Sequence, residues 1–99
     1  MQRKNNVHVV GTGTIGEPLI GILSVMKQQL GIDNVTYHKN SARVIDRAKL
    51  YALQQKGAML AATPETDAAF REMGVEPLMT HEEAIEQARV VIDCTPIGN

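Results

Sequence analysis

Residues 9 to 21 read V-V-G-T-G-T-I-G-E-P-L-I-G, and this stretch decides how the chain folds. Its three glycines, Gly11, Gly13 and Gly16, follow a short β-branched run that predicts a strand over residues 7–10. In the spacing G-x-G-x-x-G the first glycine permits a tight turn, the second lets a pyrophosphate approach the backbone, and the third allows close helix packing. Free N–H groups at the start of the following helix, with its dipole, would hold the phosphates. The stretch therefore predicts a strand–turn–helix unit with a phosphate site.

A helix is predicted directly after the glycines, because apolar residues recur there at helical spacing. Pro18 suits the first turn, and Gly31 is a natural terminator. Glu17 would repel an anion at the turn, so it is expected to face solvent. The predicted apolar stripe consists of Ile15, Leu19, Ile22, Leu23, Met26 and Leu30.

The rest of the chain alternates strands and helices. The predicted elements are strand 34–38, a helix from Asn40 or Ser41 to Lys56, a weak strand 59–62, a helix opened by Thr63-Pro64-Glu65, a marginal edge segment 75–79, a helix opened by the capping box of residues 80–83, and strand 90–94, buried on both faces. This alternation predicts an α/β fold: a Rossmann-like parallel sheet of order 3-2-1-4 with helices on both faces.

Composition excludes several classes of function. The formal net charge of -1 gives no field that recruits nucleic acid or an anionic membrane, and only Tyr37, Tyr51 and Phe70 are aromatic. Neither a signal peptide nor a membrane span is recognisable. The single cysteine, Cys94, rules out an internal disulfide and suits a reducing cytoplasm.

The end of the second predicted strand indicates which dinucleotide would bind. A carboxylate normally accepts the ribose hydroxyls of NAD there, but residues 36–43 contain no acid. They contain instead the cations Lys39 and Arg43 and the neutral donors Asn40 and Ser41. A 2′-phosphate needs such groups, so NADP is predicted over NAD. The alternative is that the two cations are only solvated charges at a helix start.

Several motifs, taken in order, carry a family resemblance. They are V-x-G-T-G-T-I-G near the start, Lys39 after the second strand, Lys56-Gly57, Thr63-Pro64-Glu65, Met73-Gly74-Val75, and finally Val91-Ile92-Asp93-Cys94-Thr95-Pro96. Together they resemble archaeal-type (class II) glyceraldehyde-3-phosphate dehydrogenase, from about residue 7 to residue 98. The glycine motif alone is unspecific, whereas the ordered set with its D-C-T-P ending is much more specific.

The resemblance implies a glycolytic oxidoreductase that oxidises glyceraldehyde 3-phosphate with inorganic phosphate and NADP or NAD. Residues 1–99 would then form a single, partial dinucleotide-binding domain, and the partner of this unit would be a catalytic domain absent from the chain. The residues that resemble the family's cofactor contacts are Gly11, Gly13, Thr14, Ile15, Gly16, Lys39, Thr95, Pro96 and Gly98.

No catalytic or metal-binding residue is predicted in this sequence. The family's nucleophilic cysteine lies in a later segment, and Cys94 has the pattern of a small buried residue. The histidines His8, His38 and His81 are expected to be structural or exposed, and no pair has metal-ligand spacing. The 99 residues alone are therefore expected to show no dehydrogenase activity.

Two other interpretations remain open from the sequence. Another NADP-linked reductase, of the homoserine dehydrogenase or dihydrodipicolinate reductase type, begins with the same strand and glycine motif. A non-catalytic nucleotide-binding or interaction module would also fit. In that case an exposed sheet edge could pair with a second copy of the chain.

Overall fold

The computed structural model describes residues 5–95, so Pro96 and Gly98, two of the expected cofactor contacts, lie outside the described residues. The strands are β1 (Asn6–Val10), β2 (Asn34–His38), β3 (Ala58–Ala62), β4 (Met79–Thr80) and β5 (Val90–Asp93). The helices are α1 (Gly16–Val25), α2 (Lys27–Leu30), α3 (Arg47–Gln55), α4 (Pro64–Glu72) and α5 (His81–Gln87), with a 3-10 turn at Val44–Asp46 before α3. In this part of the chain no helix is both long and apolar enough to cross a membrane.

The strands form one parallel sheet in the order β4-β3-β2-β1-β5. This confirms the predicted α/β, Rossmann-like class. The order differs in detail from the predicted 3-2-1-4, because Met79–Thr80 adds a fifth strand beside β3. The sequence placed this edge segment at 75–79, but it includes Pro77, which has no N–H to donate to a strand ladder.

The sheet has one apolar face and one polar face, because successive side chains point to opposite sides of a strand. Val9, Tyr37 and Leu60 are neighbours in register and fully buried in the main core, to which α1, α3 and α4 contribute. One position earlier, His8 pairs with Thr36 on the opposite face. That second face is covered by α5, whose first residue contacts His8. Helices therefore lie on both faces of the sheet, as predicted.

The first helix packs on the sheet through a different face from the predicted one. Its buried residues are Gly16, Ile20, Gly21 and Ser24. The predicted stripe is therefore wrong: Ile15 is 71% exposed and Ile22 56%, and only Leu19 and Leu23 pack partly against the core. Gly16 lets the start of the helix press against the glycine turn, and the fully buried Ile20 packs in the core. The helix also breaks at Met26, where α2 follows.

The helix after β2 begins later than predicted. Asn40 and Ser41 do not cap it, because a loop and the 3-10 turn precede α3. Within that segment, Lys39 and Arg43 both bind the carboxylate of Asp46 at 3.0 Å. These contacts fold the segment back on itself, so it does not continue as a regular helix.

The last described strand is more exposed than predicted. The apolar run of residues 90–94 indicated a strand buried on both faces, but Val90 is 49% and Val91 47% exposed. The reason is position, because β5 is an edge strand of the described sheet and pairs with β1 on one side.

The two later helix starts agree with the sequence. Thr80 Oγ1 accepts the N–H of Glu83 at 3.0 Å, and the Glu83 carboxylate accepts the N–H of Thr80 at 3.0 Å, which confirms the capping box. Thr63 is the N-cap of α4 and Pro64 its first residue, but the Thr63 hydroxyl bonds Thr66 Oγ1 instead of a backbone amide.

Candidate functional site

The glycine turn lies at the carboxyl ends of β1, β2 and β5. The N–H of Gly11 donates to the carbonyl of His38 at 3.0 Å, and the N–H of Cys94 donates to that of Val10 at 2.8 Å. Gly11 has φ +101°, and a Cβ there would lie 3.2 Å from the carbonyl carbon of Cys94. Both observations favour glycine, which agrees with the tight turn predicted for this position.

Gly13 and Gly16 have opposite surroundings. A Cβ on Gly16 would lie 2.1 Å from the carbonyl oxygen of Gly11, so this glycine allows the start of α1 to press against the turn. A Cβ on Gly13 would meet nothing within 4 Å, and Gly13 is exposed. The backbone at Gly13 is therefore open on its solvent side, where a ligand could reach it.

Three consecutive amides at the start of α1 are unpaired within the described part of the chain. The N–H of Glu17 donates to the carbonyl of Gly13 at 3.1 Å. The amides of Thr14, Ile15 and Gly16, by contrast, have no acceptor among residues 5–95. Unpaired N–H groups at the positive end of a helix dipole are a favourable site for an anion.

Glu17 does not simply face solvent, as expected from the sequence. Its carboxylate binds Lys49 Nζ of α3 at 3.2 Å and is 39% exposed. The ion pair draws the negative charge toward α3 and compensates it. The repulsion that Glu17 would exert on an anion at the turn is therefore weaker than its sequence position suggested.

The two cations after β2 differ in how far their side chains are exposed to a ligand. Lys39 Nζ binds Asp46 Oδ2 at 3.0 Å, and its side chain is only 9% exposed. Arg43 binds the same oxygen through Nε at 3.0 Å, but its side chain is 63% exposed. Lys39 is thus a buried ion-pair partner, whereas Arg43 presents the remaining guanidinium nitrogens to solvent.

Asp46 is the residue that the sequence analysis missed, because it was assigned to a helix beyond the binding window. Burial alone would raise the pKa of Asp46, but hydrogen bonds and charges from Lys39 and Arg43 outweigh burial and hold the pKa below its usual value. The i, i+3 spacing from Arg43 was the available sequence signal. With Lys49 and Glu17, three cations and two carboxylates form a network that keeps an excess of positive charge.

The end of β5 also lies beside the glycine turn. A Cβ on Gly11 would meet Thr95 N at 3.3 Å. Thr95 donates from both its hydroxyl (2.6 Å) and its N–H (2.9 Å) to Asp93 Oδ1, and these bonds lower the pKa of Asp93. The structure thus places Thr95 beside the glycine turn. Cys94 is half-buried, with its Cβ 3.4 Å from a Cβ built on Gly16.

The three histidines form a cluster that their sequence spacing did not indicate. His8 Nε2 lies 3.0 Å from His81 Nδ1, and the His38 ring stacks on the His81 ring with centroids 4.0 Å apart. His38 Nε2 lies 3.1 Å from the side-chain oxygen of Asn40, an exposed residue expected in the site; the neighbouring Ser41 is also exposed. Among residues 5–95, no group of three or more His, Cys, Asp or Glu side chains could hold a metal ion.

A parallel sheet with a glycine turn at its carboxyl edge defines a Rossmann-like α/β unit. The chain is similar to glyceraldehyde-3-phosphate dehydrogenase from Methanobacterium bryantii (29% identity) and from Methanobacterium formicicum (30% identity), over 93 residues in each case. Each match covers 94% of this chain, but the chain spans only about a quarter (26%) of the length of these relatives. No family model matches the sequence. The similarity supports the resemblance of this chain to one part of a glyceraldehyde-3-phosphate dehydrogenase.

Proposed function

We propose that this chain is the cofactor-binding part of a glyceraldehyde-3-phosphate dehydrogenase-like oxidoreductase and holds the pyrophosphate of NADP at the glycine turn. The observation that carries the proposal is the open backbone at Gly13 beside the unpaired amides of α1. The two relatives favour this type over the homoserine dehydrogenase and dihydrodipicolinate reductase types.

Calorimetric titration with NADP tests the pyrophosphate site. Gly13→Ala adds a methyl group that the protein accommodates but that projects where the pyrophosphate would approach. We expect it to weaken NADP binding by about tenfold or more. Gly31→Asn is the matched control, because Asn tolerates the left-handed conformation at that helix end, away from the turn. Equal binding by the wild type and Gly13→Ala would refute this assignment.

We also propose that NADP binds more tightly than NAD, and that Arg43 provides the cation for the 2′-phosphate. Arg43 is exposed and already oriented by Asp46, whereas Lys39 is buried and supports the same carboxylate. Asn40, Ser41 and Thr95 would supply further polar contacts. A planar guanidinium with free nitrogens suits a phosphate.

The ratio of NADP to NAD affinity tests this preference. Arg43→Gln is expected to lower the ratio by about tenfold, because a hydrogen-bonded charge pair is lost. Lys27→Gln removes one positive charge at the start of α2 and should leave the ratio unchanged. NAD binding as tight as NADP binding in the wild type would contradict the proposal.

We place the aldehyde chemistry in a catalytic domain outside the 99 residues. The proposed location of the protein is the cytoplasm. An aldehyde-oxidising enzyme of this type needs a thiolate nucleophile and a base. Cys94 instead packs against the glycine turn. Glyceraldehyde 3-phosphate, phosphate and NADP should therefore yield no NADPH at enzymatic rates with this chain alone. The exposed β5 edge is expected to pair with a further strand, from a longer chain or a second copy.

A further inference from the structure

The histidine cluster adjoins the proposed cofactor site through His38. This residue ends β2, its carbonyl accepts the N–H of Gly11 at 3.0 Å, and Lys39 and Asn40 follow it in sequence. The proton content of the cluster can therefore affect the edge where the adenosine end of a dinucleotide would lie.

The contacts of His8 and His81 can be satisfied by neutral rings. The Thr36 hydroxyl lies 3.5 Å from the carbonyl of Val7 and 2.7 Å from His8 Nδ1, so when it donates to the carbonyl it accepts from His8 Nδ1. The other nitrogen of His8 then carries a lone pair and accepts from His81 Nδ1 at 3.0 Å. In this arrangement neutral rings satisfy both contacts, and neither His8 nor His81 needs a second proton.

His38 has different partners, because each of its ring nitrogens faces an oxygen. Nδ1 lies 3.1 Å from the carbonyl of Ala61, and Nε2 lies 3.1 Å from Asn40 Oδ1. A protonated ring donates to both oxygens, whereas a neutral ring has one N–H only. The backbone carbonyl of Ala61 cannot turn, so it keeps that N–H. The amide of Asn40 must then turn over and donate its NH₂ to the Nε2 lone pair.

We propose that the proton on His38 sets whether Asn40 presents hydrogen-bond donors or an acceptor to the bound cofactor, an inference that rests on the proposed function. With the proton present, Asn40 Oδ1 faces His38 and the NH₂ group points outward, where it suits a 2′-phosphate. Without the proton, the oxygen points outward and suits a 2′-hydroxyl. Lower pH thus favours NADP relative to NAD at this position.

His38 adjoins two other histidines. The His81 ring of α5 stacks on the His38 ring, and His8 of β1 contacts His81. Burial lowers the pKa of both His8 and His81, and the charge of His38 lowers each further. No ion pair among residues 5–95 includes a histidine. The carboxylates near the cluster are those of Glu65 and Glu82, which line a cavity of about 300 Å³ together with His81. Of the three rings, His38 is the one with an oxygen acceptor at each nitrogen, so a second ring proton gains a hydrogen-bond partner there.

The experiment measures the ratio of NADP to NAD affinity of the 99-residue chain from about pH 8 to about pH 5.5, the range in which histidine titrates. Titration of the adenine cancels in this ratio, and titration of the free 2′-phosphate contributes equally to every variant. Dividing the wild-type affinity ratio by the affinity ratio of His38→Gln at each pH isolates the contribution of the His38 side chain. We expect this quotient to rise about tenfold as the pH falls, as one charge-assisted hydrogen bond would give.

Two further variants keep this test decisive. His8→Gln changes the cluster without touching Asn40 and should retain the wild-type profile. Asn40→Ala removes the exposed amide and should reproduce the His38→Gln profile, and it replaces that variant if His38→Gln does not fold. Identical pH profiles of wild type and Asn40→Ala would overturn the inference.

A ligand-free measurement separates this inference from the proposed function. In the isotope-labelled chain, the NMR signals of the Asn40 side-chain amide should shift with pH in parallel with the His38 ring. They should stay constant in His38→Gln. Failure of any dinucleotide to bind at every pH overturns the proposed function and the ligand preference together. An Asn40 amide that does not follow His38 protonation overturns the switch, whatever binds.

Discussion

Replacement of Gly16 by alanine tests how closely the first helix must approach the glycine turn. The added Cβ would lie 2.1 Å from the carbonyl oxygen of Gly11 and 2.8 Å from its carbonyl carbon, whereas real Cβ contacts stay above 3.0 Å. Relief requires about 0.9 Å of movement, the difference between 2.1 and 3.0 Å. Both contacts are with backbone, so no side-chain rotation can provide it. Overpacking typically costs about 1–3 kcal/mol, and the rigid contact here suggests about 3 kcal/mol.

Urea unfolding followed by circular dichroism measures this loss, with Gly13→Ala as the control. A Cβ on Gly13 meets nothing within 4 Å and the backbone there is not left-handed, so its free energy of unfolding should change by less than about 0.5 kcal/mol. The two variants differ only in position within one turn. If Gly16→Ala unfolds at the same urea concentration as Gly13→Ala, the close packing of α1 on the turn is not as described.

Asp46→Asn should lower the free energy of unfolding by about 3–5 kcal/mol, because it leaves the buried Lys39 charge unpaired. As a control in the same urea assay, Asp67→Asn removes a half-exposed ion pair and should lower the free energy of unfolding by less than about 1 kcal/mol. Burial, with the charges of the neighbouring histidines, lowers the pKa of His8 from 6.5 to about 4. The unfolded chain binds this proton first, so stability should be complete above about pH 6.5 and fall by roughly 3 kcal/mol toward about pH 4. His8→Gln should flatten that fall in thermal melts, and an unchanged slope would contradict the assignment. Thr80→Ala should cost about 1 kcal/mol by loss of the cap of α5, and Thr80→Ser should restore it; equal melting temperatures of all three proteins would refute the cap's role.

Local patterns predicted the elements well where they depend on neighbouring residues. The capping box at Thr80 needs only a hydroxyl and an acid three residues later, and the structure contains it. The stripe along the first helix failed, because periodicity shows that one face is apolar but not which face the sheet can approach. Gly16 lies against the glycine turn because it has no side chain.

The sequence by itself determined the parallel α/β fold and the position of the glycine turn, since strand and helix periods and the conformation of glycine act over a few residues. The tertiary structure alone decided which polar groups meet at the sheet edge. Asp46 joins Lys39 across seven positions, and His81 joins His8 across most of the chain. The first contact depends on how the loop after β2 folds, and the second on how α5 returns to the sheet; patterns of neighbouring residues specify neither path.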